Sequence, residues 1–442
     1  MAKKEKKIQD YDWLYAFLRH YVDAVLKLSY REIKYVGREF IPKDGAVIYA
    51  PNHTNALMDA MVILAMDGSP KVFVARADIF RNPKIAKILR FLKIMPIMRI
   101  RDGYEEVKKN NETIEKAVDV LHDRVPFCIF PEGTHQAKYS SLPLSKGIFR
   151  IALSAQELMP DMPLYVVPVG LRYGNFFRFR STVRVQIGEP INVGKFLAEN
   201  EGLAVGEVMN LMRERLTENI HKSIFHIPND DDYEAIYEIC ATVVKAQVKR
   251  NKFEIDGKQL KGLDAHFEAN NRTVREVLRL KEEHPALAEE LLRVGREASQ
   301  MRTAQNISLK SVSVKYTVFS RILKVLFFIL MLPYTLPVSV LTLPMHFICN
   351  FLFTKLKDYA FRNSVRYLVN LVMWPLLMII YSIVAYVVLP WYWALPLTLI
   401  LLPAPIVAQE AWRVARILIS DFKLMRNREL RDKYQRIKEI LL

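Results

Sequence analysis

The sequence predicts an α/β fold, a mixed sheet flanked by helices, joined to a helical insert and a C-terminal helical membrane region. Three observations predict it. Between residues 40 and 190, short apolar runs alternate with helix-like stretches, as when strands are separated by crossover helices. From about 200 to 310 the chain becomes charged and helix-forming, with few breakers. Beyond that lie two long runs, 325–354 and 367–409, without a charged side chain.

The first segment, 1–39, begins with the basic run Lys3-Lys4-Glu5-Lys6-Lys7. No apolar core or cleavage site follows, so it does not read as a signal peptide. Trp13, Leu14, Phe17, Leu18, Tyr21, Val22, Val25 and Leu28 recur at helical spacing. They give an amphipathic helix that either lies on a membrane surface or packs on the next domain. The α/β domain is expected at 40–200. Its strands are predicted at 46–50, 71–76, 94–98, 125–130, 164–171 and 182–188, and its helices at 57–66, 83–92, 104–123 and 145–157. A helical insert or linker follows at 201–315. Its acids and bases are interleaved, which suits a solvated face better than a nucleic-acid stripe.

The membrane region is expected at 316–410. The 367–409 run, at about 1.5 Å per residue, is long enough to cross a hydrocarbon layer of roughly 30 Å twice. Pro390-Trp391-Tyr392-Trp393 sits near its middle, where a tight turn with interfacial aromatics belongs. The earlier run, 322–354, is interrupted by Pro333, Pro337 and Pro344, so a re-entrant or short hairpin is expected there rather than a plain span. Lys355, Lys357, Arg362 and Arg366 between the runs, and the basic C-terminal helix at 411–442, belong on the cytoplasmic side by the positive-inside rule. That makes an integral membrane protein with its α/β domain on the cytoplasmic face.

A net charge of +17 over 442 residues favours an anionic partner such as a phosphorylated substrate or acidic lipid headgroups. Nucleic acid is disfavoured by the interleaved acids and the apolar runs. Cys128, Cys240 and Cys349 have no paired spacing and read as buried, reduced residues. No phosphate-cradling or dinucleotide-type glycine pattern and no metal-ligand spacing is present in the sequence, so neither a tightly bound cofactor nor a metal is expected.

Two polar motifs follow apolar runs. The first is Ala50-Pro51-Asn52-His53-Thr54-Asn55-Ala56-Leu57-Met58-Asp59, and the second is Phe130-Pro131-Glu132-Gly133-Thr134. Histidine can take a proton from a hydroxyl near neutral pH, and a carboxylate can hold its ring in the useful tautomer. Motifs at the ends of buried-looking strands point to one catalytic crevice. Six residues apart, His53 and Asp59 would lie about 120° apart on an ideal helix. His53 is therefore expected in the loop before the helix, turned back toward Asp59, with Thr54 or Asn55 as the cap.

With these motifs the sequence resembles the glycerolipid acyltransferases. That family has a His-Asp motif, a basic second motif, a Pro-Glu-Gly third motif and a fourth around a proline after a strand. The candidates here are His53 to Asp59, Ile97-Met98-Arg99-Ile100-Arg101-Asp102, Phe130 to Thr134, and Val167-Pro168-Val169, over roughly residues 40–192. Five residues separate His53 from Asp59, where the usual family spacing is four. The glycerol-3-phosphate and dihydroxyacetone-phosphate branch has a similar His-x-Asn-x-x-x-Asp pattern.

The resemblance implies that His53 is a general base oriented by Asp59, acting on a substrate hydroxyl that attacks an acyl thioester directly. It implies that Arg99 binds phosphate through its guanidinium fork, with Arg101 a close competitor two residues along the same strand face. Glu132 matches a family site residue that binds the glycerol backbone or holds a basic side chain. The backbone N–H groups of Gly133 and Thr134 are the expected oxyanion donors. Lys146, before Gly147, adds a second phosphate contact or is a surface lysine. His135 is read as structural, because no carboxylate lies near it in sequence. The arginines at 172, 178, 180 and 184 either meet donor phosphates or lipid headgroups, or protect an edge strand.

The reading is a membrane-bound acyltransferase of phospholipid synthesis. Its donor is acyl-CoA or acyl-carrier protein. Its acceptor is glycerol 3-phosphate or lysophosphatidic acid (1-acylglycerol 3-phosphate), and membrane lipids surround it. The alternatives are acylation of another lipid head, such as an amino-acid lipid, and a catalytically silent scaffold that binds acidic lipids.

Overall fold

In the computed structural model, residues 6–97, 110–255, 257–313, 318–356 and 358–442 are described. The chain forms two compact units. The first contains residues Met1–Ile224 and Lys355–Leu371, and the second Phe225–Thr354 and Val372–Leu442.

The first unit is built on one mixed sheet. After the amphipathic helix α1 (Trp13–Ser29), its strands are β1 (Tyr30–Val36), β2 (Ala46–Pro51), β3 (Val72–Arg76), β4 (Ile94–Ile97), β5 (Phe127–Cys128), β6 (Leu164–Tyr173), β7 (Ser181–Ile187) and β8 (Ile191–Asn192). They lie in the order β1-β7-β6-β2-β5-β3-β4, with β8 also on β6. β2, β5, β3 and β4 run parallel side by side, as do β2 and β6; β7 and β8 are antiparallel to β6. All six residues of β2 are buried, which is why its sequence is an unbroken apolar run rather than an alternation. Helices α2 (Leu57–Leu64), α3 (Pro83–Phe91), α4 (Asn110–His122) and α5 (Gly147–Leu158) supply crossovers. Ile48, Val72, Phe127, Ile148, Phe149 and Val166 form the centre of the core.

Parallel register decides where the motifs emerge. Tyr49 pairs with Cys128, and Arg76 pairs with Ile97. The chain therefore leaves β2, β5 and β4 at the same edge of the sheet, the carboxyl edge where open α/β sheets place their ligands. Pro168, which cannot donate to a ladder, sits in β6 between the stretch paired with β8 and the stretch paired with β7. Gly170 permits close approach of the helix Val205–Ser223. A Cβ at that position would stand 2.0 Å from the Ser223 carbonyl oxygen.

Several elements differ from expectation. The N-terminal segment is helical only to Ser29; Tyr30–Val36 then pairs in parallel with β7. Its residues continue the apolar spacing of α1 and show no clean alternation, because only one edge of this strand is paired. That pairing also covers β7, so its arginines do not guard an edge. Arg184 is buried and donates to Gln186 Oε1 at 2.8 Å, while Arg180 Nη1 donates to the Leu28 and Tyr30 carbonyls. The helix Val205–Ser223, expected with the helical insert, belongs to the sheet-bearing unit. So do residues 355–371.

The second unit packs helices Tyr233–Asn251, Gly262–Glu283, Pro285–Ala304 and the C-terminal Arg428–Leu441. Their core includes a fully buried Glu238, which accepts both Nε contacts of Arg302 at 2.8 and 2.9 Å and the Tyr434 hydroxyl at 2.7 Å. A buried charge persists when it is paired and hydrogen-bonded in this way. Helices Val318–Leu341 and Phe361–Val388 are each long and apolar enough to cross a membrane. Trp391–Leu401 and Ala404–Arg426, bent by 52° at their break, qualify together as a third.

Helix Phe361–Val388 ends before Pro390, which is the N-cap of Trp391–Leu401. Helix Val318–Leu341 runs unbroken through Pro333 and Pro337 and ends only near Thr342, before Leu343–Lys355. In an apolar helix neighbouring polar groups can satisfy the backbone that proline releases, so proline is a weaker breaker there than in water. Cys128, Cys240 and Cys349 are all buried and none is in a disulfide.

Candidate active site

His53 lies in the loop between β2 and α2, and Asp59 in the first turn of α2. Asn52 fixes that loop. Its side-chain amide pairs with the backbone of Leu171 on β6, accepting from the N–H at 2.6 Å and donating to the carbonyl at 3.2 Å. Ala56, at φ 47°, turns the chain into the helix. Asp59 then reaches back beneath the loop. Its Oδ2 accepts from His53 Nδ1 at 2.8 Å and from the backbone N–H groups of Thr54 and Asn55, each at 2.7 Å. The five-residue interval therefore brings base and carboxylate together. The N-cap position is Ala56, with no side-chain cap; neither Thr54 nor Asn55 caps the helix, and their side-chain polar atoms are buried without a hydrogen-bond partner among the described residues.

Donation from Nδ1 leaves Nε2 of His53 as the ring's basic nitrogen. Phe130, at the end of the β5 segment, stacks on the His53 ring with centroids 4.1 Å apart. His135 meets it edge-on at 5.2 Å. His135 does have a carboxylate partner. Its Nε2 lies 2.9 Å from Oδ2 of Asp358, 223 residues away. Burial and the neighbouring His53 hold the His135 pKa down, against the pull of Asp358. The buried phenols of Tyr30 and Tyr173 are pushed well up, first by burial and then by the Asp59 charge, so both stay protonated.

Glu132 is 6% exposed, and neither of its oxygens makes a well-formed hydrogen bond among the described residues. Burial pushes its pKa up to about 8; the Asp59 charge adds to this, and the backbone amides of His53 and Leu142 oppose it. Near neutral pH the carboxyl is protonated and can donate a hydrogen bond. Gly133 takes φ 64°, a left-handed turn that suits glycine. Its N–H donates to the Phe130 carbonyl at 3.1 Å, so the turn itself uses the first expected oxyanion donor. Thr134 is exposed beside it.

Lys146 is exposed immediately before α5, and Gly147 faces the Ile97 side chain. The second motif therefore leaves β4 close to the start of α5. Arg99 and Arg101 lie outside the described residues. Asn52 and Phe130 stood inside motifs already singled out, and their roles needed only the register of β6 and β5 to be seen. Asp358 had no local signal.

Residues 32–172 match the acyltransferase family profile. The chain is 27% identical over 299 residues to glycerol-3-phosphate O-acyltransferase 2 of Saccharomyces cerevisiae, covering 63% of this chain and 39% of that protein. It is 25% identical over 151 residues to 1-acyl-sn-glycerol-3-phosphate acyltransferase of Borreliella burgdorferi, covering 34% of this chain and 58% of that one. Among solved structures it is similar to the 1-acyl-sn-glycerophosphate (LPA) acyltransferase PlsC from Thermotoga maritima, with 22% identity, a TM-score of 0.33, and coverage of 49% of this chain and 83% of that chain. The chain thus spans less than two thirds of the length of either curated relative.

The raised Glu132 pKa sets a stability expectation. The buried carboxyl favours the folded state fully below its ordinary value of 4.5, and that contribution is lost as pH rises toward about 8. Glu132→Gln should therefore melt several degrees above the native chain at pH 8, and the two should converge near pH 4.5. Thermal unfolding across that range measures it. A native chain whose melting point holds steady relative to the Gln variant would show that Glu132 is ionised throughout.

Proposed function

We infer that this protein, a member of the acyltransferase family through residues 32–172, moves a fatty acyl group from a thioester to a hydroxyl of glycerol 3-phosphate or 1-acylglycerol 3-phosphate. The observation that carries this reading is the His53–Asp59 pair at 2.8 Å, with the carboxylate fully buried and fixed by two backbone amides.

His53 Nε2 takes the acceptor's hydroxyl proton as the oxygen attacks the thioester carbonyl carbon. Asp59 stabilises the imidazolium that forms. When the tetrahedral intermediate collapses, the C–S bond breaks and the proton passes from His53 to the departing thiolate. No nucleophile of the protein is consumed. The oxyanion falls to the Thr134 N–H, since that of Gly133 is engaged. Glu132, protonated near neutral pH, donates to the glycerol backbone. Arg99 grips the acceptor phosphate, with Arg101 its alternate. Lys146, at the start of α5, adds charge to the same anion. The donor is acyl-CoA or acyl-carrier protein. The unusual spacing does not separate His53 from Asp59, so a silent scaffold is not the favoured reading. The apolar helices suit a reaction whose product is a lipid, and the sheet-bearing unit faces the cytoplasm.

His53→Ala should lose about two to four orders of magnitude in acyl transfer while the chain still folds. Asp59→Asn should also be severe, because the ring loses its orienting anion. An assay of the purified chain, crossing both acceptors with both donors, tests this; near-native turnover by folded His53→Ala would sink the mechanism.

Arg99→Ala should raise the KM for the acceptor strongly and that for the donor much less, with partial rescue by lysine, which offers a point charge in place of a fork. The same pattern from Arg101→Ala alone would move the phosphate site by one strand repeat.

For orientation, a cysteine placed by Trp391→Cys should react with an impermeant label from outside the cell. Lys355→Cys and Arg428→Cys should not. Labelling at either of the last two would reverse the proposed topology.

A further inference from the structure

We propose that Asp358 and His135 form a second carboxylate–imidazole pair that positions the His53 ring, so that the turn leading into the apolar helix Phe361–Val388 completes the site at the sheet edge. The proposal rests on the acyl-transfer reading of His53 and adds residues that no motif of the family resemblance includes.

The geometry is a clamp. One face of the His53 ring lies on Phe130, and the edge contact with His135 closes a second side. Nδ1 is tied to Asp59, so the ring can neither tilt nor flip without breaking one of three contacts. His135 can serve as a wall only if it is itself held. Asp358 accepts from its Nε2 at 2.9 Å, and Phe361 packs edge-on against its ring at 5.0 Å. Asp358 is held in turn by the Ala360 N–H, which donates to its Oδ1 at 2.8 Å.

The same stretch of chain is anchored to the sheet-bearing unit independently of His135. Asn363 Nδ2 donates to the Tyr30 hydroxyl at 3.4 Å, and Arg366 donates to the Phe177 carbonyl. Ala360, Asn363 and Ser364 are buried. The turn is therefore part of the unit that carries His53.

The electrostatics agree with this placement. Asp59 from α2 and Asp358 from the turn act on His135, Glu132 from the loop after β5 meets the His53 backbone, and the phenols of Tyr30 on β1 and Tyr173 on β6 lie near Asp59. Glu132 and both phenols are protonated near neutral pH. Two carboxylates bond the imidazoles, Asp59 to His53 and Asp358 to His135. A neutral His135 adds no positive charge beside the base, and Asp358 favours the imidazolium that forms when His53 takes the hydroxyl proton.

The test uses the full chain in detergent or nanodiscs, with His135→Phe, Asp358→Asn and the double variant. Phe keeps a ring against His53 and Phe361 while removing the pair. Asp358→Asn should lower kcat about tenfold with the KM of donor and acceptor nearly unchanged, because ring position and not substrate affinity is lost. The acid limb of kcat/KM should move to lower pH by about half a unit, since negative charge is removed from beside the imidazoles. The double variant should lose no more than His135→Phe alone.

A second readout does not depend on turnover. Carbethoxylation of His53 by diethyl pyrocarbonate, followed by mass spectrometry, should be about threefold faster in folded Asp358→Asn, because the ring is released. Native kcat, native pH profile and native His53 reactivity in an Asp358→Asn chain that melts normally would overturn the proposal. So would a loss of thermal stability without those changes. If the native chain acylates no glycerol phosphate, the acyl-transfer reading fails; the His53 labelling rate still decides whether Asp358 holds the ring.

Discussion

Asp59 is fully buried at the first turn of α2, and burying a polar group costs free energy that hydrogen bonds must offset; here they converge on one oxygen, Oδ2. Three donors meet Oδ2: the His53 ring and two consecutive backbone amides. Charge-assisted bonds of this kind contribute roughly 1.5–3 kcal/mol each, enough to matter beside the desolvation they offset. The arrangement has consequences in both directions along the chain. Toward the N-terminus it fixes the loop that bears His53. Toward the C-terminus it fixes the start of α2. The five-residue interval is accommodated because the amides of Thr54 and Asn55, rather than their side chains, close on the carboxylate. Asn52 then ties the whole loop to β6, so the position of the base is set by the central strands of the sheet.

The parallel core could be read from the sequence because buried parallel strands are written as apolar runs, and β2, β3, β4 and β6 have them, while β7 alternates apolar and polar residues. The His53–Asp59 pair and the Glu132 turn could be read because their motifs follow such runs directly. What escaped depended on pairing at a distance. Tyr30–Val36 carries the charged residues Arg31, Glu32 and Lys34 and becomes a strand where β7 offers an edge. β8 is two residues long and has no periodicity to detect. Asp358 lies among basic residues after a long apolar run, where local reading finds only a charged loop. His135 then looked solitary. Pro333 and Pro337 lie inside one helix, and the break comes at Thr342 instead.

The charge balance also takes on a more specific meaning in the folded chain. Many basic side chains are engaged by local acids or carbonyls, as Arg302 is by Glu238, Lys433 by Glu297 and Arg436 by Glu290. The Lys433 and Arg436 pairs join the C-terminal helix to the helical unit, so the basic tail is a docked element rather than a free polycation. Arg180 and Arg184 are likewise spent inside the first unit. The net excess of positive charge is therefore a poor guide to the binding site.

The division of the chain has a consequence for biosynthesis. The first unit needs residues 355–371, yet the ribosome delivers its first 224 residues well ahead of them. At roughly 5–20 residues per second, the intervening stretch of about 130 residues takes some seconds to tens of seconds to emerge. During that interval the nascent sheet lacks the segment that covers Tyr30 and His135, and the first apolar helix must be accommodated before that segment can arrive. A polypeptide whose translation stalls after Ile224 would hold His53 and Asp59 without the Asp358 turn that packs beside them.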